Sequence, residues 1–170
     1  MKWLSYAFLR TLLFPFSFLP YATIHRLGRG MGILAYYALA KFRKRALSNL
    51  ACATTLQLNN GDIRRIAKEA MQNLAITCLE YPKFSREKKI ERVVICENPE
   101  IADNLIQKGQ GVIFFCGHQA NWEVLFLDGS RRMPGVAIGR PIKNQFLYRW
   151  IIKMRQRYGG KIITPKQAAR

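Results

Sequence analysis

Apolar residues at Ile63, Ile66, Ala67, Ala70, Met71, Leu74 and Cys78 recur at helical spacing, so the stretch from Asp62 to about Glu80 is expected to be one amphipathic helix. Asp62 is its expected N-cap after an Asn59-Asn60-Gly61 turn, and Pro82 its expected stop. A further helix is expected over 46–58, and a short one starting between Ser85 and Lys89. Arg92 to Cys96 is rich in β-branched residues and reads as a short strand. Asn98-Pro99-Glu100 then supplies a cap, a first-turn proline and an acid near the positive end of a helix that Gly109 closes. Beyond Gly111 comes Val112-Ile113-Phe114-Phe115, four consecutive large apolar residues that read as a strand buried on both faces and ended by Gly117. The alternation continues with a helix over 121–128, a strand over 135–139, a helix over 144–158, a strand over 161–163 and a last helix opened by Thr164-Pro165. Strand and helix in turn predict an α/β fold, a mostly parallel sheet flanked by helices, with no internal repeat.

The amino terminus follows another pattern. Trp3 to Ala22 is almost wholly apolar and aromatic, near the length that crosses a bilayer, yet Arg10 falls in its middle and Pro15 and Pro20 break it. No small-residue cleavage site follows. A shallow amphipathic anchor is expected, with Trp3, Tyr6, Phe8, Phe14, Phe16, Phe18 and Tyr21 at the interface; the plainer alternative is a core-packing helix with a proline turn. Gly28, Gly30 and Gly32 follow no strand and lack the dinucleotide spacing, so close helix packing is their expected purpose. Lys41-Phe42-Arg43-Lys44-Arg45 then places four cations in five residues, suited to anionic headgroups or to a solvated helix face. The expected organisation is a membrane-anchoring segment over 1–40 and an α/β domain over 41–170, incomplete at its carboxyl end because the last residues are too few to cover the strand before them.

Charge narrows the partners. The 170 residues carry a formal +18, and 49% hydrophobic composition argues against disorder. No acid precedes Asp62 or follows Asp128, so both ends are purely cationic and an anionic membrane, nucleic acid or acidic protein or substrate is implied. Cys52, Cys78, Cys96 and Cys116 lack metal-type spacing and are expected as buried, reduced thiols.

The candidate chemistry sits after the longest apolar run. His118 falls at the carboxyl end of the expected strand, where open α/β sheets place their ligand sites. Glu123 lies five positions on, about 140° away on an unbroken helix, so the two meet only across a bend at 117–120 with a helix starting near Asn121. There the carboxylate would orient the imidazole as a general base. A lone histidine is more often structural, but Glu123 shifts the balance. A metal site using Cys116, His118 and Glu123 is weaker, since the thiol points away and no second pair completes a tetrahedron. Burial likewise argues against a Cys116–His118 nucleophile. Arg140-Pro141, after the next strand, falls at the same sheet edge, where a guanidinium could grip phosphate or steady an oxyanion. Arg131 and Arg132 read as solvated loop charges. The basic residues among Trp150, Ile151, Ile152, Met154 and Tyr158 suit lipid or nucleic acid.

Gly117-His118-Gln119-Ala120-Asn121-Trp122-Glu123 resembles the His-four-residues-acid motif of the lipid A biosynthesis (late) acyltransferases, within the lysophospholipid acyltransferase superfamily. Arg43 to Leu50, ending Ser48-Asn49-Leu50, resembles that family's basic stretch. Glu97-Asn98 with Gly109-Gln110-Gly111-Val112-Ile113 is similar to its approach to the motif, and Gly139-Arg140-Pro141, Asn144 and Arg157-Tyr158-Gly159-Gly160 to its second block. Gln119 and Ala120 replace residues that are often aromatic and glycine in relatives.

The resemblance implies transfer of a fatty acyl chain from acyl-acyl carrier protein to a hydroxyl of a lipid A precursor, at the cytoplasmic face of the inner membrane. His118 would be the base and Glu123 its orienter; Arg140, Asn121 and Pro141 would bind substrate. No cofactor, metal or nucleic acid is called for, and anionic inner-membrane lipids would be partners. The family's later motifs, including an Asp-Gln element, are absent, so the chain is expected to be about the amino-terminal half of a member and of doubtful activity alone. Two other readings are a glycerophospholipid acyltransferase using the same pair and a non-catalytic basic membrane-binding fragment.

Overall fold

A computed structural model describes residues 1–117 and 121–169. The helices are α1 (Lys2–Leu13), α2 (Tyr21–Ala38), α3 (Ala40–Ala51), α4 (Asn60–Arg86), α5 (Glu100–Gln107), α6 (Trp122–Arg132), α7 (Gln145–Arg155) and α8 (Pro165–Ala168). The strands are β1 (Val136–Ile138) and β2 (Lys161–Ile163), and single 3-10 turns cover Phe14–Ser17, Thr54–Leu56 and Ile90–Arg92. Two compact units result: Leu9–Arg86, and Met1–Phe8 with Glu87–Arg170. Among the described residues helix dominates, and the expected α/β fold is borne out only in part, as one small two-stranded parallel sheet.

The unit Leu9–Arg86 is built on α2 and α4. Ile24, Gly28, Gly32 and Tyr36 form the buried face of α2, and the glycines are spaced four apart so that they stack on it. A Cβ on Gly28 would lie 2.6 Å from Ile76 Cγ1 and 2.9 Å from its Cα, and one on Gly32 would overlap the backbone of Gln72. Ile76 and Gln72 are themselves four apart in the reverse order, so the helices run antiparallel with their backbones nearly touching. Gly30 faces open space. Close packing was the expected use of these glycines, and two of the three serve it. Tyr36, Ala67 and Met71 form a core cluster closed by Ala35, Ala46, Leu47 and Leu50. His25 Nε2 lies 2.7 Å from Glu80 Oε1, a further bridge between the two helices.

Several local expectations need correction in this unit. The cap of α4 is Asn59, whose Oδ1 accepts from Asp62 N at 2.9 Å, while Asp62 instead pairs with Arg65. Pro82 does not stop α4, which continues through Arg86, and no separate helix starts at Ser85. A proline inside a helix costs about 3 kcal/mol or more, but here Leu79, Pro82 and Phe84 are all buried and Lys83 Nζ donates to the Leu19 carbonyl at 2.7 Å. Tertiary burial outweighs the lost backbone bond. Leu74 and Cys78, read as core positions, are exposed, because the buried line follows Ala67, Met71 and Leu79 instead. The helix expected over 46–58 lies over Ala40–Ala51. All four cysteines are free, as expected, but exposed rather than buried. Pro15 and Pro20 do divide the aromatic amino terminus into α1, a 3-10 turn and α2. Among the described residues no helix is long and apolar enough to cross a membrane.

In the second unit β1 and β2 pair in parallel, Val136 with Lys161 and Ile138 with Ile163, as the alternation predicts. Helix α7 joins them. Its N-cap Asn144 accepts from Phe146 N and Leu147 N through Oδ1, and its Nδ2 donates to the Lys2 carbonyl of α1 at 2.8 Å. Thr164 and Gln167 cap α8 reciprocally, with Pro165 in the first turn. Gly109, at φ +71, closes α5 as expected, whereas Asn98 makes no side-chain cap at the other end. Ile90, Leu127, Ile151 and Met154 form the buried centre.

Two expected strands are absent. Arg92–Cys96 leads out of a 3-10 turn, and 111–117 has no regular structure, with Ile113 96% and Phe115 100% exposed. Apolar residues favour a strand only when neighbouring strands satisfy its backbone groups and helices cover its faces. Among the described residues β1 pairs with β2 alone, so this run has no ladder to join.

Candidate functional site

The site is built on the first turn of α6 and the last turn of α7. Asn121 is the residue before α6, in a non-helical conformation, and the chain turns helical at Trp122 as the motif requires. Glu123 follows in the first turn, where the unpaired backbone N–H groups and the helix dipole favour a negative charge. It is 2% exposed. A carboxylate so deeply buried needs a partner, and Arg155 from the end of α7 supplies it. Arg155 Nε donates to Oε2 at 2.8 Å and to Oε1 at 3.1 Å, and Nη2 donates to Oε1 in a close ion pair. The guanidinium carbon stands 4.6 Å from the centroid of the Trp122 ring. Trp122, Glu123 and Arg155 are therefore one cluster of ring, acid and base, with the cation held between the ring and the carboxylate.

Sequence reading did not find Arg155. It lies 32 positions from Glu123 in a basic helix where it is one cation among several, and only the packing of α7 on α6 selects it. The clue available was the spacing of Ile151 and Met154, which are the buried residues of α7 and lie four and one positions before it.

His118, Gln119 and Ala120 lie outside the described residues, so the expected contact of His118 with Glu123 does too. Arg140 and Pro141 are exposed in the segment that follows β1, and Arg140 forms no ion pair or hydrogen bond with Glu123. The carboxyl end of β1 is thus where Arg140 sits, as expected, while Glu123 is gripped from α7. Arg131 and Arg132 are not loop charges: they form the last turn of α6 and pair with the buried Asp128 at 3.1 and 2.8 Å. Asp128 holds the Arg132 guanidinium above its ordinary value through that hydrogen bond. Cys116 is exposed, and among the described residues no group of three His, Cys, Asp or Glu side chains could hold a metal ion.

Chemically, a fixed buried carboxylate at a helix start can hold a donor ring in one orientation and compensate the charge that ring acquires on taking a proton. No curated protein and no solved structure matches this chain. The family model for bacterial lipid A biosynthesis acyltransferase matches residues 1–170, which includes the motif and both cationic ends. With every position from first to last inside that match, the chain belongs to the bacterial lipid A biosynthesis acyltransferase family.

Proposed function

We propose that the protein moves a fatty acyl chain from acyl-acyl carrier protein to a hydroxyl of a lipid A precursor at the cytoplasmic face of the inner membrane. His118 removes the proton of the acceptor hydroxyl, and the oxygen attacks the thioester carbonyl directly. The C–O bond of the new ester forms, the C–S bond breaks, and the departing carrier thiolate takes up the proton that the imidazole had accepted. Glu123 orients the ring and balances its charge during the transfer. Arg140 binds acceptor phosphate or the developing oxyanion, with Asn121 and Pro141 shaping the substrate side. The chemistry needs no cofactor and no covalent enzyme intermediate.

One observation carries this reading: Glu123, five residues after His118, is a buried acid in the first turn of a helix and is held there by a bidentate arginine. Membership in an acyltransferase family supports the reaction type, and the uniformly cationic ends suit an acidic carrier, sugar phosphates and anionic lipid. The test is transfer of labelled acyl chains from acyl-acyl carrier protein to a lipid A precursor by the wild-type chain and by His118→Ala and Glu123→Gln. Each substitution is expected to lower kcat by roughly 10²- to 10⁴-fold with unchanged far-ultraviolet circular dichroism. Undiminished transfer by folded His118→Ala would remove the general-base mechanism.

A further inference from the structure

We infer that the exposed face of α7, carrying Arg149 and Lys153 with Lys143 just ahead of it, is the docking surface for the acyl carrier protein that brings the donor. This rests on the proposed use of acyl-acyl carrier protein and adds where that acidic protein is held. The cations of the second unit divide into two kinds. Arg131 and Arg132 pair with Asp128, and Arg155 with Glu123. Lys143, Arg149 and Lys153 are exposed and, among the described residues, form no ion pair or side-chain hydrogen bond. No acid follows Asp128 in the chain, so nothing on α7 or after it neutralises them.

The stripe is a product of helix register. Ile151 and Met154 are the buried residues of α7, and Phe146 packs against Tyr6 with ring centroids 6.2 Å apart. Arg149 and Lys153 each lie two positions from Ile151, about 160° around the helix from it, and four positions from each other. They therefore share one solvent-facing side, about 6 Å apart along the axis. Like charges one turn apart repel and destabilise a helix. The helix dipole compensates Lys153, which lies in the last turn, but not Arg149 in the middle. An anionic surface set against both removes the repulsion.

A bilayer and an acidic protein both offer such a surface, and the apolar residues separate them. A helix that enters a bilayer presents large apolar side chains beside its cations, as α2 does with exposed Leu27, Met31 and Leu34. No large apolar residue of α7 is exposed: Phe146, Leu147, Trp150 and Ile152 are half-buried, and Ile151 and Met154 are buried. Exposed cations with no exposed apolar group among them suit the carboxylates of an acidic protein, which steer and orient the encounter through charge. The position fits as well. The last turn of α7 reaches the start of α6, where Glu123 accepts from Arg155, so a carrier lying along α7 is within one helix length, about 16 Å, of the motif's acid. Its tethered thioester can enter the site while the protein part stays outside.

The test uses the whole chain and the variants Arg149→Glu, Lys153→Glu and both together, with Arg149→Gln and Lys153→Gln as neutral versions should a reversal unfold. Transfer to a lipid A precursor is measured from acyl-acyl carrier protein and from acyl-pantetheine, a small thioester without the protein. Fluorescence anisotropy measures binding of labelled holo-acyl carrier protein, and co-sedimentation measures binding to anionic phospholipid vesicles. The double reversal is expected to raise KM for acyl-acyl carrier protein roughly 10-fold or more and to flatten its salt dependence. It should leave kcat within about twofold, transfer from acyl-pantetheine unchanged and vesicle binding intact. The inference is overturned if the wild-type chain does not bind the carrier at low salt, or if folded variants bind it as tightly as wild type does. An equal loss of transfer from both donors, or loss of vesicle binding with carrier binding preserved, overturns it too. Absence of wild-type transfer from either donor, while carrier binding depends on Arg149 and Lys153, would instead defeat the proposed function and support the docking surface.

Discussion

A single side chain decides what Glu123 is. In the sequence it is an acid at a suggestive distance from a histidine; in the structure it is a buried carboxylate whose orientation is set by Arg155 and, through Arg155, by Trp122. The motif and the helix start at Trp122 were legible, because His118, Asn121 and Glu123 are neighbours in the chain. Arg155 was not, because nothing local marks one basic residue of α7 above the others. The cysteines show the same limit: Cys78 sits in a helical apolar pattern and reads as core, yet it is exposed. Its thiol is still desolvated enough to titrate above the ordinary value. A raised pKa leaves less thiolate at a given pH, so Cys78 should be the slowest of the four cysteines to react with iodoacetamide at pH 7.5. Mass spectrometry of timed, quenched samples checks this; alkylation of Cys78 ahead of Cys52, Cys96 and Cys116 would contradict it.

At the scale of elements, the helices announced themselves and the strands did so only where they found partners. Helix α4 is longer than its expected stop because burial of Leu79, Pro82 and Phe84 carries it through the proline. Strands β1 and β2 are present as read, since each supplies the other's ladder, while the more apolar run at 112–115 has no such neighbour. The glycine series gives the sharpest test of element packing. Gly32→Ala would drive a methyl group into the backbone of Gln72, and overpacking of this kind costs about 1–3 kcal/mol. Gly30→Ala meets nothing within 4 Å and replaces a poor helix former, so it should stabilise by roughly 0.5–1 kcal/mol. Chemical denaturation of the two variants should therefore shift in opposite directions. Equal shifts would mean that α2 and α4 do not approach as closely as described.

Over the whole molecule, charge and exposed apolar surface point the same way. The chain carries +18 with no acid before Asp62, and α1 exposes Trp3, Leu4, Phe8 and Leu12 while α2 exposes Leu27, Met31 and Leu34. The last three lie on one stripe of their helix, away from the face that packs on α4. Such stripes beside cations favour the interfacial region of an anionic bilayer, each basic residue near the surface contributing about 1 kcal/mol. The protein is expected to co-sediment with vesicles containing anionic phospholipid, more weakly with neutral ones, and to be partly released by 1 M salt, where the Debye length falls to about 3 Å. Combined Leu27→Ser, Met31→Ser and Leu34→Ser substitutions should weaken binding that survives high salt. A chain left in the supernatant with anionic vesicles at low salt would argue against the membrane assignment.

What the sequence determined by itself is whatever depends on near neighbours: the helical repeats, the proline breaks at Pro15 and Pro20, the opening of the last helix at Thr164-Pro165, the cationic ends, and a histidine and an acid at fixed separation. What only the tertiary structure decided depends on residues far apart along the chain. Which glycines touch another backbone, whether a proline ends a helix, whether an apolar run becomes a strand, and which arginine holds Glu123 are all set by the surface each segment meets. Local spacing fixes the direction in which a side chain leaves its own helix or strand, but its energy is determined by what occupies the space it enters.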